Sequence, residues 1–357
     1  MRDPARSDRL RTQAAQALAA GRLGEAQARL ESAVRADPRS AFAHHDLGGL
    51  HKLQGRLPEA ETSLRAAHAL APDDAKTRHA LGIVLLSQGR YREGWPLYDA
   101  RHAIPELRLL KPALPYPAWT GEDVAGKRLL IFPEQGLGDQ IQYARFAPWL
   151  AARGADVTLM CHPALARLFD RSLGVRVIAA SGQVDFPDPD YWVMSGSITG
   201  RTGLGPDALP NAPYLRSGDG GPAASGGLGV VTRGNPAHTN DANRSLPPDL
   251  AARLLALPAA VSLQPEDTGA KDFADTAALV AGLDLVIAVD TAVAHLAAAM
   301  GKPTWILLPR LMTDWRWMED RPDSPWYPSA RLFRQPRAGD WTPVLDEVRA
   351  ALAARLP

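Results

Sequence analysis

The chain has 357 residues, of which 46% are hydrophobic and 22% charged, with a formal net charge of +1 and one cysteine. That length suggests two or three domains, and the near-zero charge argues against nucleic acid or an anionic membrane as the main partner. The lone Cys161 excludes an internal disulfide and a multi-cysteine zinc site, and a cytoplasmic location is expected.

The first stretch, Met1-Arg2-Asp3-Pro4-Ala5-Arg6-Ser7-Asp8, has no apolar core, so no signal peptide is expected there. No stretch approaches the ~20 apolar residues of a membrane span. Residues 7–104 then repeat at the ~34-residue period of helical tetratricopeptide units. Gly21-Arg22, Gly55-Arg56 and Gly89-Arg90 stand in register, as do Ala26, Ala60 and Gly94, then Leu30, Leu64 and Tyr98. Leu47-Gly48 and Leu81-Gly82 fill the small-residue pair of a first helix, and Pro38 and Pro72 close the first two units. The glycine permits the turn, the alanine lets helices approach, and the proline stops the second helix.

The third unit departs from the pattern at Gly94-Trp95-Pro96-Leu97-Tyr98, which is expected to dock the array onto the next domain. Resemblance to tetratricopeptide arrays implies a concave groove lined by each unit's first helix, where peptides bind. In this register the partner-groove positions are Arg11, His45, Lys52, Lys76 and His79. Solvated helix faces are the competing reading.

Residues 105–126, with Pro105, Pro112, Pro115 and Pro117, read as a linker. A strand opens at Lys127–Phe132, followed by a helix to about Arg153 and strands at Asp156–Met160, Val175–Ala179 and Tyr191–Met194. Alternating strands and helices predict a parallel sheet over residues 127–215. The Gly/Ser-rich stretch 216–227 reads as a hinge. The pattern restarts over residues 228–342: strand Leu228–Thr232, helix Asp249–Leu257, strand Ala260–Leu263, helix Phe273–Leu283, and a last strand Pro303–Leu308. A final helix within residues 343–357 is expected to pack back across the first half. The fold class is therefore an α-helical array followed by two α/β lobes with a cleft between them.

The most informative stretch is Leu285-Val286-Ile287-Ala288-Val289-Asp290-Thr291, continuing through Ala294-His295-Leu296 to Gly301. Five apolar residues give a buried strand, Asp290 and Thr291 supply cap chemistry, and an Ala-rich helix comes next. Such a helix start leaves free N–H groups at the carboxyl edge of the sheet, where an open α/β sheet binds ligands and phosphate is favoured.

Gly136-Leu137-Gly138-Asp139 makes a tight turn at another carboxyl edge, but Ile141 stands where a dinucleotide fingerprint needs its third glycine. Asp139 is either a helix cap or a general base. Asp188-Pro189-Asp190 has the spacing of some metal-binding sugar transferases, yet no third ligand accompanies it and no metal is expected. The polar loop Gly234–Ser245 carries Asn235 and Arg244, and Arg244 has the shape for bidentate phosphate contact. The tail, with Trp315, Trp317, Trp326 and Trp341 beside carboxylates, suits either sugar faces or a buried core.

Together these residues resemble bacterial tetratricopeptide-repeat proteins fused to a GT-B glycosyltransferase domain, related to heptosyltransferases and, more distantly, to protein O-GlcNAc transferases. The resemblance rests on the repeats, Glu134–Asp139, Gly234-Asn235-Pro236 through Arg244-Ser245, Val289-Asp290-Thr291 with Ala294-His295-Leu296, and the Trp315–Trp341 tail. It implies two Rossmann-like lobes and an inverting, metal-independent transfer from a nucleotide-diphosphate sugar, with no further cofactor.

By that resemblance Asp139 is the base, Gly136 and Gly138 shape its loop, and Asn235, Arg244, Gln264, Asp290, Thr291 and His295 bind the donor. The implied partner is a protein acceptor, flagellin among the candidates, recruited by the repeats. Several positions depart from the pattern: Thr232-Arg233 precede the Gly-Asn-Pro, Ala292 follows Asp-Thr, the segment from Gln264 to Lys271 is short, and Trp192-Val193 face the acceptor side. A non-catalytic repeat scaffold and a lipopolysaccharide transferase are the alternatives.

Overall fold

The computed structural model describes residues 2–109, 111–218 and 226–355. They form two compact units: Met1–Leu110 with Leu311–Glu319, and Lys111–Arg310 with Asp320–Pro357.

The first unit contains three helix pairs: α1 (Pro4–Ala19) with α2 (Leu23–Ala36), α3 (Ala41–Leu53) with α4 (Leu57–Leu70), and α5 (Ala75–Ser87) with α6 (Tyr91–Tyr98). Each turn within a pair is made by the repeated glycine, with φ of 72° at Gly21, 70° at Gly55 and 76° at Gly89, a left-handed conformation that costs other residues more. Ser40 and Asp74 cap α3 and α5 through their side chains. The core runs as a string of small clusters, such as Leu57, Ala60, Leu64, Leu81, Val84 and Leu85, because each pair contacts only its neighbours.

The end of this array differs from the sequence-based expectation. Leu311–Glu319, placed by sequence within the second α/β lobe, is part of the repeat unit. Trp315 enters a box of Tyr91, Trp95 and Tyr98, with ring centroids 6.3, 5.2 and 5.9 Å away, all edge-on, the geometry that aromatic quadrupoles favour. The aromatic third repeat thus receives a short segment from far along the chain. That segment closes a helix pair that would otherwise present Tyr91, Trp95 and Tyr98 to water.

The second unit holds two parallel sheets. The first has the order β3-β2-β1-β4, formed by β1 (Arg128–Phe132), β2 (Asp156–Cys161), β3 (Arg176–Ala179) and β4 (Tyr191–Met194). The second has the order β6-β5-β7-β8-β9, formed by β5 (Leu228–Val231), β6 (Ala260–Ser262), β7 (Leu285–Val289), β8 (Thr304–Leu308) and β9 (Ala330–Arg334). Every residue of β5, β7 and β8 is buried, as parallel strands covered on both faces require. β1 and β7 belong to different sheets, as two separate lobes demand.

The helices of this unit are α7 (Leu137–Ala144), α8 (Phe146–Ala151), α9 (Pro163–Leu173), α10 (Ile198–Thr202), α11 (Asp241–Arg244), α12 (Pro248–Leu255), α13 (Pro265–Thr268), α14 (Phe273–Ala281), α15 (Ala292–Ala299) and α16 (Thr342–Ala353). The single helix expected up to Arg153 is therefore two helices, broken at Arg145. There the Tyr214 hydroxyl donates to the Ile141 carbonyl at 2.8 Å, taking an acceptor that an unbroken helix would use internally.

Two further expectations are corrected. Helix α16 buries Val344, Leu345 and Val348 against the core under β5, β7 and β8 of the second sheet, not across the first lobe. Residues Ala330–Arg334 of the tail form the edge strand β9. Of the expected hinge, residues 219–225 lie outside the described residues.

Candidate functional site

Strands β1 and β7 deliver their loops to the carboxyl edges of their sheets, and the next helices along the chain, α7 and α15, pack on each other. Gly138 makes this approach possible. A Cβ at that position would lie 2.8 Å from His295 Cδ2 and 3.6 Å from Ala292 Cα. The two helix starts therefore sit side by side, one carrying Asp139 and the other Asp290 and Thr291.

At the first start, Asp139 is the third residue of α7, and its Oδ2 accepts the Gly136 N–H at 2.9 Å. It therefore closes the reciprocal half of a capping box. The preceding Gln135 has φ of 61°, a strained value for a non-glycine residue and one that clusters at functional loops. Buried Glu134 accepts the Gly196 N–H through Oε1, tying this loop to the one after β4.

At the second start, Thr291 occupies the N-cap of α15 but makes no side-chain cap hydrogen bond. Its Oγ1 is buried without a hydrogen-bond partner. A helix start normally satisfies its exposed N–H groups with such a side chain. The first turn of α15 is thus not capped by Thr291, and a helix start with its N–H groups at a sheet's carboxyl edge is of the kind that suits an anion. Ala292 adds no hydroxyl of its own.

The other expected donor residues are arranged around this turn. Arg244 donates from Nη1 to the Asp290 carbonyl at 2.8 Å and from Nε to Asp241 Oδ1 at 3.1 Å, so it braces the turn. Asn235 Oδ1 accepts the Ala237 N–H at 2.9 Å, shaping its own loop. Gln264 is buried and its Nε2 donates to the Arg233 carbonyl at 3.2 Å, while the Arg233 side chain pairs with Glu266 at the start of α13. His295 is 3% exposed, with Nδ1 2.9 Å from the Tyr327 hydroxyl and Nε2 3.9 Å from Asp290 Oδ1. It packs the two helices together; at that exposure it offers almost no surface to a donor. Across the lobes Arg167 of α9 pairs with Asp272, at 2.6 Å, and with Asp275 on the α14 side.

Other sequence candidates resolve into structure. Trp315, Trp317, Trp326 and Trp341 are 5%, 0%, 0% and 2% exposed, so none presents a face to a sugar. Trp192 lies in the core with Leu130, Met160 and Met194, its indole donating to the Tyr116 carbonyl at 2.9 Å. Asp188 is bonded to the Tyr116 hydroxyl, and Asp190 pairs with Arg128 at 3.3 Å. Among the described residues, no three His, Cys, Asp or Glu side chains gather as metal ligands. Burial pushes the Cys161 thiol up to about 12, leaving it inert as a nucleophile. An open cavity of about 470 Å³ under Pro210–Arg216 is lined by Arg145, Trp149, Ser172 and Tyr214 and contains none of the candidate residues.

In the repeat unit, the groove positions His45 and Lys52 lie on α3, and Lys76 and His79 on α5, and all four are engaged within the unit. His45 Nδ1 is 2.9 Å from Thr77 Oγ1, and Lys76 pairs with Glu106 at 2.6 Å. Lys52 is half-buried, and burial lowers its ammonium pKa against the opposing pull of Asp314. The His79 ring lies 5.4 Å from that of Tyr98, tilted by 39°, and burial, aided by Lys52 and Arg101, lowers its pKa to about 4. Arg11 reaches Asp46 at 2.7 Å and covers the ring of Phe42, which is 63% exposed. Sequence reasoning missed Tyr214, which nothing in its local sequence marks, and placed Tyr327 only within the aromatic tail; in the structure the two lie between α15 and α7.

Comparison with known proteins agrees with this division. Residues 17–75 match the tetratricopeptide repeat model, and residues 266–307 match the model of glycosyltransferase family 9 (heptosyltransferase). The latter span contains Asp290, Thr291 and His295. Protein FlbA of Caulobacter vibrioides is 29% identical over 317 residues, covering 72% of this chain and 52% of its own length. The chain thus spans about half the length of this curated relative. Among solved structures, MamA is 25% identical over 29% of this chain and 61% of its own, with a TM-score of 0.27. The first tetratricopeptide domain of Spaghetti (RPAP3), bound to an HSP90 peptide, is 17% identical over 29% of this chain and 81% of its own, with a TM-score of 0.28. No helix among the described residues is long and apolar enough to cross a membrane. The chain is therefore similar to tetratricopeptide repeats over residues 17–75 and to glycosyltransferase family 9 over residues 266–307.

Proposed function

We propose that the chain is a metal-independent, inverting glycosyltransferase that uses a nucleotide-diphosphate sugar and modifies a protein held by the repeat array. The observation that carries this reading is the uncapped start of α15, with Thr291 Oγ1 unpartnered, beside the α7 start that bears Asp139. In the reaction, the acceptor hydroxyl oxygen attacks the anomeric carbon as the bond from that carbon to the diphosphate breaks. The hydroxyl proton passes to the Asp139 carboxylate. The nucleoside diphosphate leaves with its charge stabilised by the first-turn N–H groups of α15. The repeat-family match supports a protein acceptor, and the resemblance points to flagellin as one candidate.

A non-catalytic scaffold is the second reading, and the bonding of Arg244 favours it. That side chain is spent on Asp241 and the Asp290 carbonyl, so a phosphate contact requires it to release one of them. Thermal unfolding of the purified chain with a panel of nucleotide sugars separates the two. A donor at about 100 times its Kd should stabilise the native state by ~2.7 kcal/mol. No shift with any member of the panel favours the scaffold.

A further inference from the structure

The spacing of the two helix starts is set by a line of buried polar side chains outside the expected donor residues except for His295. From the Asp290 side, His295 Nδ1 lies 2.9 Å from the Tyr327 hydroxyl. Tyr327 lies against Tyr214, close enough to draw the pKa of that hydroxyl down against the larger effect of burial. Tyr214 donates to the Ile141 carbonyl of α7 at 2.8 Å, two positions beyond Asp139. Arg145 locks the middle of the line, donating to the Trp326 carbonyl at 2.6 Å and to the Tyr214 hydroxyl at 3.3 Å. Its guanidinium also lies 4.6 Å from the centre of the Tyr327 ring.

Proton accounting gives the line a direction. Each tyrosine has one hydroxyl proton. That of Tyr214 goes to the Ile141 carbonyl, which leaves its oxygen to accept from Arg145 and open to accept from Tyr327; a Tyr327 hydroxyl turned that way is then the acceptor for a proton on His295 Nδ1. Tyr327 is 1% exposed and His295 3%, so neither presents enough surface to grip a ligand. These contacts link α15 to α7 across the two lobes. Gly138 leaves no side chain to act as a spacer between them.

We propose that Tyr327, with His295 and Tyr214, is a positioning residue for sugar transfer, fixing the distance between the Asp139 carboxylate and the diphosphate site at Thr291. The inference rests on the transferase reading given above. A misplacement of about 1 Å by a change away from the chemistry can cost ~10²-fold in rate, which is the scale of effect at stake.

The test is Tyr327→Phe in the full chain, which keeps the ring and removes the hydroxyl. Trp305→Phe, in the core on the other side of the second sheet, serves as a control for general loosening. Two readouts are taken. Hydrogen exchange of the α7 amides should accelerate about tenfold in Tyr327→Phe and stay at the parent rate in the control, since a buried polar group loses its partner. Turnover with a nucleotide sugar should fall roughly 10- to 100-fold while donor Kd changes less than about twofold. Parent-like exchange and turnover would overturn the proposal, and so would an equal loss of donor affinity and turnover. If the parent binds no nucleotide sugar, the transferase reading fails, and exchange alone then decides whether Tyr327 sets the helix spacing.

Discussion

The repeat unit and the α/β unit assemble their working surfaces over very different sequence distances. In the repeats, α1 packs on α2, α3 on α4 and α5 on α6, so each contact lies within one period and is visible as a recurring residue. In the α/β unit, the candidate site joins Gly136–Asp139, Arg244, Asp290–His295 and Tyr327, which only the sheet topology brings together. The comparison teaches that local spacing reveals scaffolds, whereas sites require the crossover order. One feature reverses this division: the end of the repeat array is completed by Leu311–Glu319, from far along the chain.

That reversal yields the largest expected effect. Trp315 is 5% exposed among Tyr91, Trp95 and Tyr98. Trp315→Ala should cost ~3–5 kcal/mol, the usual range for an aromatic removed from a core. The loss should appear as faster hydrogen exchange in α5 and α6, with α1 and α2 little changed, because repeat stability is transmitted between nearest neighbours. Uniform loosening of all six helices would show that the segment is no local cap.

A smaller effect is expected from pH. His79 has its pKa lowered from 6.5 to about 4, so the native state holds it neutral while the unfolded chain charges it below about 6.5. The unfolded state therefore binds more protons between these values, and stability of the repeat unit falls as pH drops from about 6.5 towards 4. The full loss is at most about 3 kcal/mol, at 1.36 kcal/mol per unit. In His79→Gln the stability of this unit should lose that part of its pH dependence; an unchanged profile would assign it to other groups.

The smallest effect is expected where the two lobes of the α/β unit are joined by charge. Arg167 reaches Asp272 at 2.6 Å and also Asp275, but its side chain is 43% exposed. Arg167→Ala should therefore cost no more than ~1 kcal/mol, as exposed pairs do, and high salt should shrink the difference. A loss of several kcal/mol would mean that the lobes depend on this pair more than on the packing of α7 against α15.

Much of the fold was legible because its signals are local. The repeat glycines, the apolar run Leu285–Val289 and the strand Tyr191–Met194 each declare their state within a few residues. The break at Arg145 was not legible, since it depends on the hydroxyl of Tyr214, remote in sequence. Strand β9 was hidden because Ala330–Arg334 alternates with arginine at an edge and sits among aromatics that suggest a ligand surface. The tryptophans of the tail were ambiguous for a related reason: an indole suits a sugar face or a core equally well until its burial is known. For the site, sequence marked the helix starts but left Asp139 open between cap and base. The structure shows the cap bond to Gly136 without removing the carboxylate from the neighbourhood of Thr291.

Asp139 therefore offers the most direct test of the account, in which two adjacent helix starts form one transfer site. The measurement is hydrolysis of a nucleotide sugar at saturating donor, with water standing in for the acceptor hydroxyl, in the parent and in Asp139→Asn. Asparagine can still accept the Gly136 N–H through its amide oxygen, so the fold should persist. Turnover should fall by ~10²–10⁴-fold, the usual contribution of a positioned base, with donor affinity nearly unchanged. Hydrolysis at the parent rate in Asp139→Asn would contradict the account and leave Asp139 as a cap alone.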